Sequence, residues 1–118
     1  MPSKGQLAVI RLPEAVKALA DTRGYLPKHA LMLKPVAAIP GDTVCRDGPF
    51  LTINGRFRAI ADRKDTRRRL LPRWRGCRHL ATSELFVLST ISGSFDSRYF
   101  GPIERGHVLG TAVPIWTH

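Results

Sequence analysis

No stretch of this 118-residue chain reaches the 18 or more consecutive apolar residues of a bilayer-spanning helix. The start, "MPSKGQLAVIRLP", has too short an apolar run for a secretory signal and no small-residue cleavage site after it. Cysteine is scarce: only Cys45 and Cys77 are present, with neither CxxC spacing nor a histidine at zinc-ligand spacing. That argues against a zinc site. The pair is open to two readings, free thiols in an intracellular protein or a disulfide in an extracytoplasmic one. No glycine-rich strand-to-helix motif occurs, which excludes a Rossmann or P-loop nucleotide site. There is no internal repeat, and nothing implies a metal or cofactor. Acidic residues are few, 9 against 19 Lys and Arg, for a net charge of +10.

Such a charge raises nucleic acid or an anionic membrane as partner. Much of the excess falls in "RKDTRRRLLPRWRGCRH" (63–79). This segment reads as an exposed basic loop, either a solvated surface or a binding patch. The length fits one domain with a modest core, and 43% hydrophobic residues is a globular composition.

Nine prolines and ten glycines point to short strands and many corners. "QLAVIRL" (6–12) reads as a buried strand. "PEAVKALADTRGY" reads as a short helix opened by Pro13 and closed by Gly24, with Val16, Leu19 and Ala20 on one face. "HALMLKPVA" is extended and apolar, and "IPGDTV" is a turn into a strand. "PFLTINGRFRAI" is a hairpin with Asn54-Gly55 in a type I′ turn. The basic stretch 61–80 lacks periodicity and reads as loop. "ELFVLST" is a strand, and "GHVLGTAVPIW" makes one or two closing strands. The sum is mainly β, in coiled antiparallel sheets with one short helix.

Lys34 stands out because it interrupts the apolar run "ALMLKPVAAIPGD". In a strand, Met32, Lys34 and Val36 share one face, and Leu31, Leu33, Pro35 and Ala37 the other. Burial lowers a lysine pKa, and a neutral amine is a general base. The competing reading is a side chain that snorkels from an edge strand into water. The second dense stretch is "GSFDSRYFGP" (93–102). Asp96 and Arg98 would share a face in a strand and bridge. They are read either as a surface ion pair of a polar turn or, with Ser94, as support for a catalytic group. His29, His79, His107 and His118 are scattered, so a Ser-His-Asp triad has no support.

Together "LMLKPVAAIPGDTV" and "SGSFDSRYFGPI" resemble the lysine box and the Ser-x-Asp-Ser-Arg-x-x-Gly box of the type I signal peptidase clan. "INGR", Cys45 after "GDTV", "LLPRWRGC", "GTAVPIW", "KGQLAVIRLP" and "RGYL" are similar to its TraF branch, the conjugative-transfer peptidases that mature pilin. The resemblance covers nearly the whole chain. It implies a coiled β fold with an SH3-like barrel, shared with LexA-type autoproteases, and a serine endopeptidase with a Ser–Lys dyad. Lys34 matches the general base, Ser94 the serine that hydrogen-bonds it, and Asp96 and Arg98 the supporting pair. Gly41 and Asp42 match the turn that sets the lysine strand. An extended polypeptide, pilin or a signal-peptide-bearing precursor, would lie along Met32, Leu33 and Val36 by strand addition. The implied location is the outer, periplasmic face of the bacterial inner membrane. An oxidising compartment favours a Cys45–Cys77 disulfide.

Two departures are visible. The family has Lys-Arg where this chain has Lys34-Pro35, which removes one strand donor. The family's nucleophilic serine lies upstream of the "KGxLV" strand, after a membrane anchor. Ser3 lacks that context, so the nucleophile is not assigned to it. The expectation is a single peptidase-type domain, 1–118, without its anchor and nucleophile segment. The alternatives are a nucleophile-less peptide-binding relative and a basic nucleic-acid-binding module.

Overall fold

The structure is a computed structural model that describes residues 2–25, 31–91 and 93–113. Two antiparallel sheets form it. The first has five strands in the order β8-β7-β2-β1-β9: β1 Leu7–Ile10, β2 Met32–Ala38, β7 Glu84–Val87, β8 Ile103–Glu104 and β9 Val108–Ala112. The second has four in the order β5-β4-β3-β6: β3 Thr43–Asp47, β4 Phe50–Ile53, β5 Arg56–Ile60 and β6 Gly76–His79. Helix α1 spans Glu14–Arg23, and a single turn, α2, spans Ser97–Phe100. Both sheets are open among the described residues, so the mainly antiparallel β class holds but the expected barrel does not close.

Local chemistry accounts for most elements. Pro13 precedes α1 as its N-cap, one position earlier than the sequence suggested. Gly24 ends the helix in the left-handed region, where its N–H and that of Tyr25 reach the Asp21 and Ala20 carbonyls. Asn54 and Gly55 both have positive φ, as a type I′ hairpin turn requires.

The basic stretch departs from the loop expectation. Gly76–His79 is an edge strand paired with β3, and all four of its residues are exposed. It therefore carries none of the apolar periodicity by which a strand is read. Residues 65–70 are knitted around the Asp65 carboxylate, which accepts from the backbone N–H groups of Arg67 and Arg69, from Arg69 Nε and from Tyr25 Oη. Hydrogen bonds outweigh the desolvation that opposes them and hold Asp65 well below the usual carboxylate range.

The cores meet on two strands. Leu85 and Val87 of β7 join Ala8, Ile10, Met32, Val36 and Tyr99 on one side. Phe86 and Leu88 join Val44, Leu51, Ile53 and Ala38 on the other. That two-sided burial explains why "ELFVL" reads as a continuous apolar run. Cys45 and Cys77 are direct cross-strand partners of β3 and β6 and form a disulfide on the outer face of the second sheet.

Candidate active site

Lys34 lies in the middle of β2, opposite Ala8 of β1. Its neighbours on that face, Met32 and Val36, are core residues. Of the three side chains expected to bind substrate, these two are thus buried, and only Leu33, 51% exposed, offers surface. The lysine itself is half-buried and forms no ion pair among the described residues. It lines a cleft of about 460 Å³ together with Ser94, Gly93, Phe95, Tyr99, Tyr25 and residues of the 62–71 loop. Burial is the largest influence on the amine and pulls its pKa down. Asp96 pushes it up, and Arg98 pulls it down again.

Asp96 and Arg98 do bridge, but not in a strand and not at the surface. Asp96 is fully buried and caps α2, accepting from the Arg98 backbone N–H at 3.1 Å. The Arg98 guanidinium grips both carboxylate oxygens, at 2.8 and 3.0 Å. Its remaining donors reach the Ile60 and Ser89 carbonyls. Asp96 also accepts from the Ser89 N–H at 2.9 Å. Every strong partner is therefore satisfied internally, and the pair presents a nearly neutral neighbour to Lys34. A single free carboxylate would instead hold the lysine charged.

Lys34 and Ser94 both line the cleft. No direct hydrogen bond joins them among the described residues. Gly41, with φ of 94°, and Asp42 form the turn after the lysine strand. Asp42 accepts from the Ile39 N–H and Asn54 Nδ2 and pairs with Lys4. Ser3 does not line the cleft. Neither does His79, which contacts Thr43, nor His107. His29 and His118 lie outside the described residues.

Two supporting residues, Arg46 and Trp74, escaped the sequence reading, and Ser97 of the second box acts beside them. Arg46, buried, donates to the Arg98 carbonyl at 2.8 Å. Trp74 donates through its indole N–H to the Ser97 carbonyl at 3.2 Å. The Ser97 hydroxyl accepts from the Val87 N–H at 3.0 Å. These contacts bind α2, and with it Asp96, to both sheets. Arg46 and Trp74 come from distant segments, and only tertiary structure reveals their role.

Strand β2 pairs with β1 along one edge, but its other edge is paired along only part of its length. Val36 donates to Gln6 on the β1 side. Alternation then turns the backbone groups of Leu33 and Pro35 to the β7 side. There Leu88 donates to the Pro35 carbonyl, and pairing with β7 covers only Val36–Ala38. The missing N–H of Pro35 therefore falls at the place where the β2–β7 ladder ends. Beyond it, the Leu33 groups face an edge with no strand among the described residues.

An open sheet edge thus lies beside a desolvated lysine and an internally satisfied Asp–Arg pair. Residues 1–117 match the family described as "Signal peptidase, peptidase S26", and the chain belongs to that family. It is 31% identical to a plasmid transfer protein TraF of Escherichia coli, over 92% of this chain and 68% of that protein. It is 34% identical to a conjugal transfer protein TraF of Agrobacterium tumefaciens, over 87% of this chain and 62% of that one. The fold is similar to a signal peptidase I from Enterococcus faecalis, with a TM-score of 0.51 at 18% identity over 96% and 97% of the two chains. The chain is thus a TraF-like member of the signal peptidase clan, and its signal-peptidase-like character rests on that kinship.

Proposed function

We propose that this protein is a serine endopeptidase with a Ser–Lys dyad, processing pilin or other exported precursors at the outer face of the cytoplasmic membrane. The observation that carries the reading is Lys34: an amine desolvated below its ordinary pKa, in a cleft shared with Ser94, next to an open strand edge. The precursor adds as an extended strand at Leu33, using backbone groups that β7 leaves unpaired. The nucleophile is a serine N-terminal to β1, as in the family. Neutral Lys34 takes the hydroxyl proton as that oxygen attacks the scissile carbonyl, then returns it to the departing amine. Water hydrolyses the acyl-enzyme by the same route. Ser94 orients the amine, and Asp96 with Arg98 holds the segment that carries Ser94. The TraF relatives bear transfer-protein names, which supports a precursor belonging to a conjugation apparatus.

The test is processing of a pilin-type precursor by the protein expressed from its native gene, followed by mass spectrometry. Lys34→Ala should lower the cleavage rate by roughly 10²–10⁴-fold, the range for loss of a general base. Full cleavage by that variant would remove the dyad assignment. Binding of the precursor without turnover in the unmodified protein would identify a peptide-binding relative instead.

A further inference from the structure

Three arginines converge on a second pocket, which the catalytic reading does not use. It encloses about 320 Å³ and is lined by Arg46, Gly48, Pro49, Ala61, Arg63 and Arg73. None of these residues is acidic. Asp47 alternates to the outer face of β3, and Asp62, between Ala61 and Arg63, lines the cleft instead. Arg46 is only 3% exposed. Its Nε donates to the Gly48 carbonyl at 3.1 Å, and its Nη1 to the Arg98 and Pro72 carbonyls at 2.8 and 3.4 Å. Its Nη2 has no partner among the described residues, yet no fully buried side-chain donor there lacks one, so this nitrogen is open to the pocket. Arg63 and Arg73 enter from the two ends of the basic loop, which the Leu71 N–H closes onto the Arg63 carbonyl. Both are exposed, and neither side chain makes an ion pair or hydrogen bond among the described residues. Gathering like charges in this way is costly. Burial pulls the Arg46 pKa down, and Arg73 beside it pulls it further. Packing accounts for Arg46, whose bonds hold α2, but gives no reason for the other two.

We propose that this pocket binds a phosphate-type dianion, either inorganic phosphate or a small phosphomonoester. Guanidinium donors contributed by three separate segments suit the oxygens of a tetrahedral anion. Charge narrows the class. A dianion leaves one of the three positive charges unmatched, whereas a carboxylate or a phosphodiester leaves two. The volume lies at the small end for ligand sites, with room for a phosphate and a small group attached to it. Tyr99 separates this pocket from the cleft: the Arg46 guanidinium carbon lies 5.9 Å from the centroid of its ring, and Tyr99 also lines the cleft. A dianion on Arg46 would steady the side chain that holds the Arg98 carbonyl, and with it the turn that Asp96 caps. The site does not depend on Lys34 or on peptide cleavage, and binding reads it without turnover.

The test is calorimetric titration of the 118-residue chain with glycerol phosphate at constant ionic strength, at about pH 7.5, where a phosphomonoester is mostly doubly charged. Binding should saturate at one site, and the thermal midpoint should rise with ligand concentration. Inorganic phosphate should compete. Acetate and dimethyl phosphate, each singly charged, should bind about tenfold more weakly or worse. Arg63→Ala and Arg73→Ala should each weaken binding about tenfold or more, as expected on losing a charge-assisted hydrogen bond. Arg105→Ala removes the same charge from an exposed position beside β8 and should leave binding within about twofold, since solvent screens it. Because Arg63 and Arg73 are exposed, circular dichroism should show both variants folded. If Arg73→Ala proves unfolded, Arg63→Ala with Arg73→Gln takes its place. Binding that fails to saturate, follows ionic strength alone, or falls as far in Arg105→Ala overturns the proposal. So does dimethyl phosphate that binds as tightly as glycerol phosphate. So does a single-stranded oligonucleotide that Arg73→Ala releases while glycerol phosphate is ignored.

Discussion

Lys34 is stranded between two demands. Its stem lies between core residues, while its amine must stay titratable in the cleft. The folded chain holds that amine below its ordinary 10.5, so the unfolded state binds more protons in the interval between the two values. Stability therefore rises with pH across that interval, and below it the charged lysine opposes folding. Lys34→Met keeps the stem and removes the charge. It should raise the thermal midpoint at pH 7 and abolish cleavage, as trade-offs between activity and stability at functional sites lead one to expect. The gain should shrink as the pH approaches 10.5. A melting series from neutral to alkaline pH tests this, and a Lys34→Met variant less stable than the parent would mean that the amine makes a favourable contact. The lysine was legible because a lone cation in an apolar run is a visible conflict with the strand pattern. Its partner pair was legible only as types. That Asp96 is buried to 0% exposure and grips Arg98 bidentately depends on a turn that no periodicity announces.

Elements were readable in proportion to the local chemistry that fixes them. The α1 stop at Gly24 and the Asn54-Gly55 turn each rest on a φ that few residues adopt, and both were read correctly. Four-residue α2 is too short for a helical period, and exposed β6 has no apolar face to alternate. The disulfide needed the resemblance, because the sequence alone left two readings of the cysteines open. Its position gives it a definite mechanical role. It fastens edge strand β6 to β3, and β6 follows the segment carrying Trp74, which donates to α2. Removing it frees a sequence separation of 32 residues in the unfolded chain. Cys45→Ser with Cys77→Ser should thus lower stability by about 3–4 kcal/mol on the chain-entropy account. Denaturant titration measures this. A loss near zero would mean that the β3–β6 ladder holds without the crosslink.

At the scale of the whole molecule, two aspartates join parts that lie far apart in sequence. Asp42 links the N-terminal Lys4, the end of β2 at Ile39, and Asn54 of the hairpin turn. Asp65 links Tyr25, just past α1, to the arginine-rich loop that walls the cleft. Burial opposes ionisation of each, yet their hydrogen bonds prevail, and both folded pKa values lie below 3.8. An unfolded aspartate then takes up a proton first. The contribution of these links is present above about pH 4 and is lost as the pH falls through the folded values. Acid also adds positive charge to a chain already at +10, so repulsion grows in the same direction. The urea midpoint should hold from pH 7 to about 5 and fall steeply below about 4, near the intrinsic carboxylate range. Asp65→Asn keeps much of the shape but loses the charge that binds Arg69. It should lower the midpoint at pH 7 and flatten the acid limb. An acid limb as steep in Asp65→Asn as in the parent would assign the acid sensitivity to net charge and leave the loop as a passive wall.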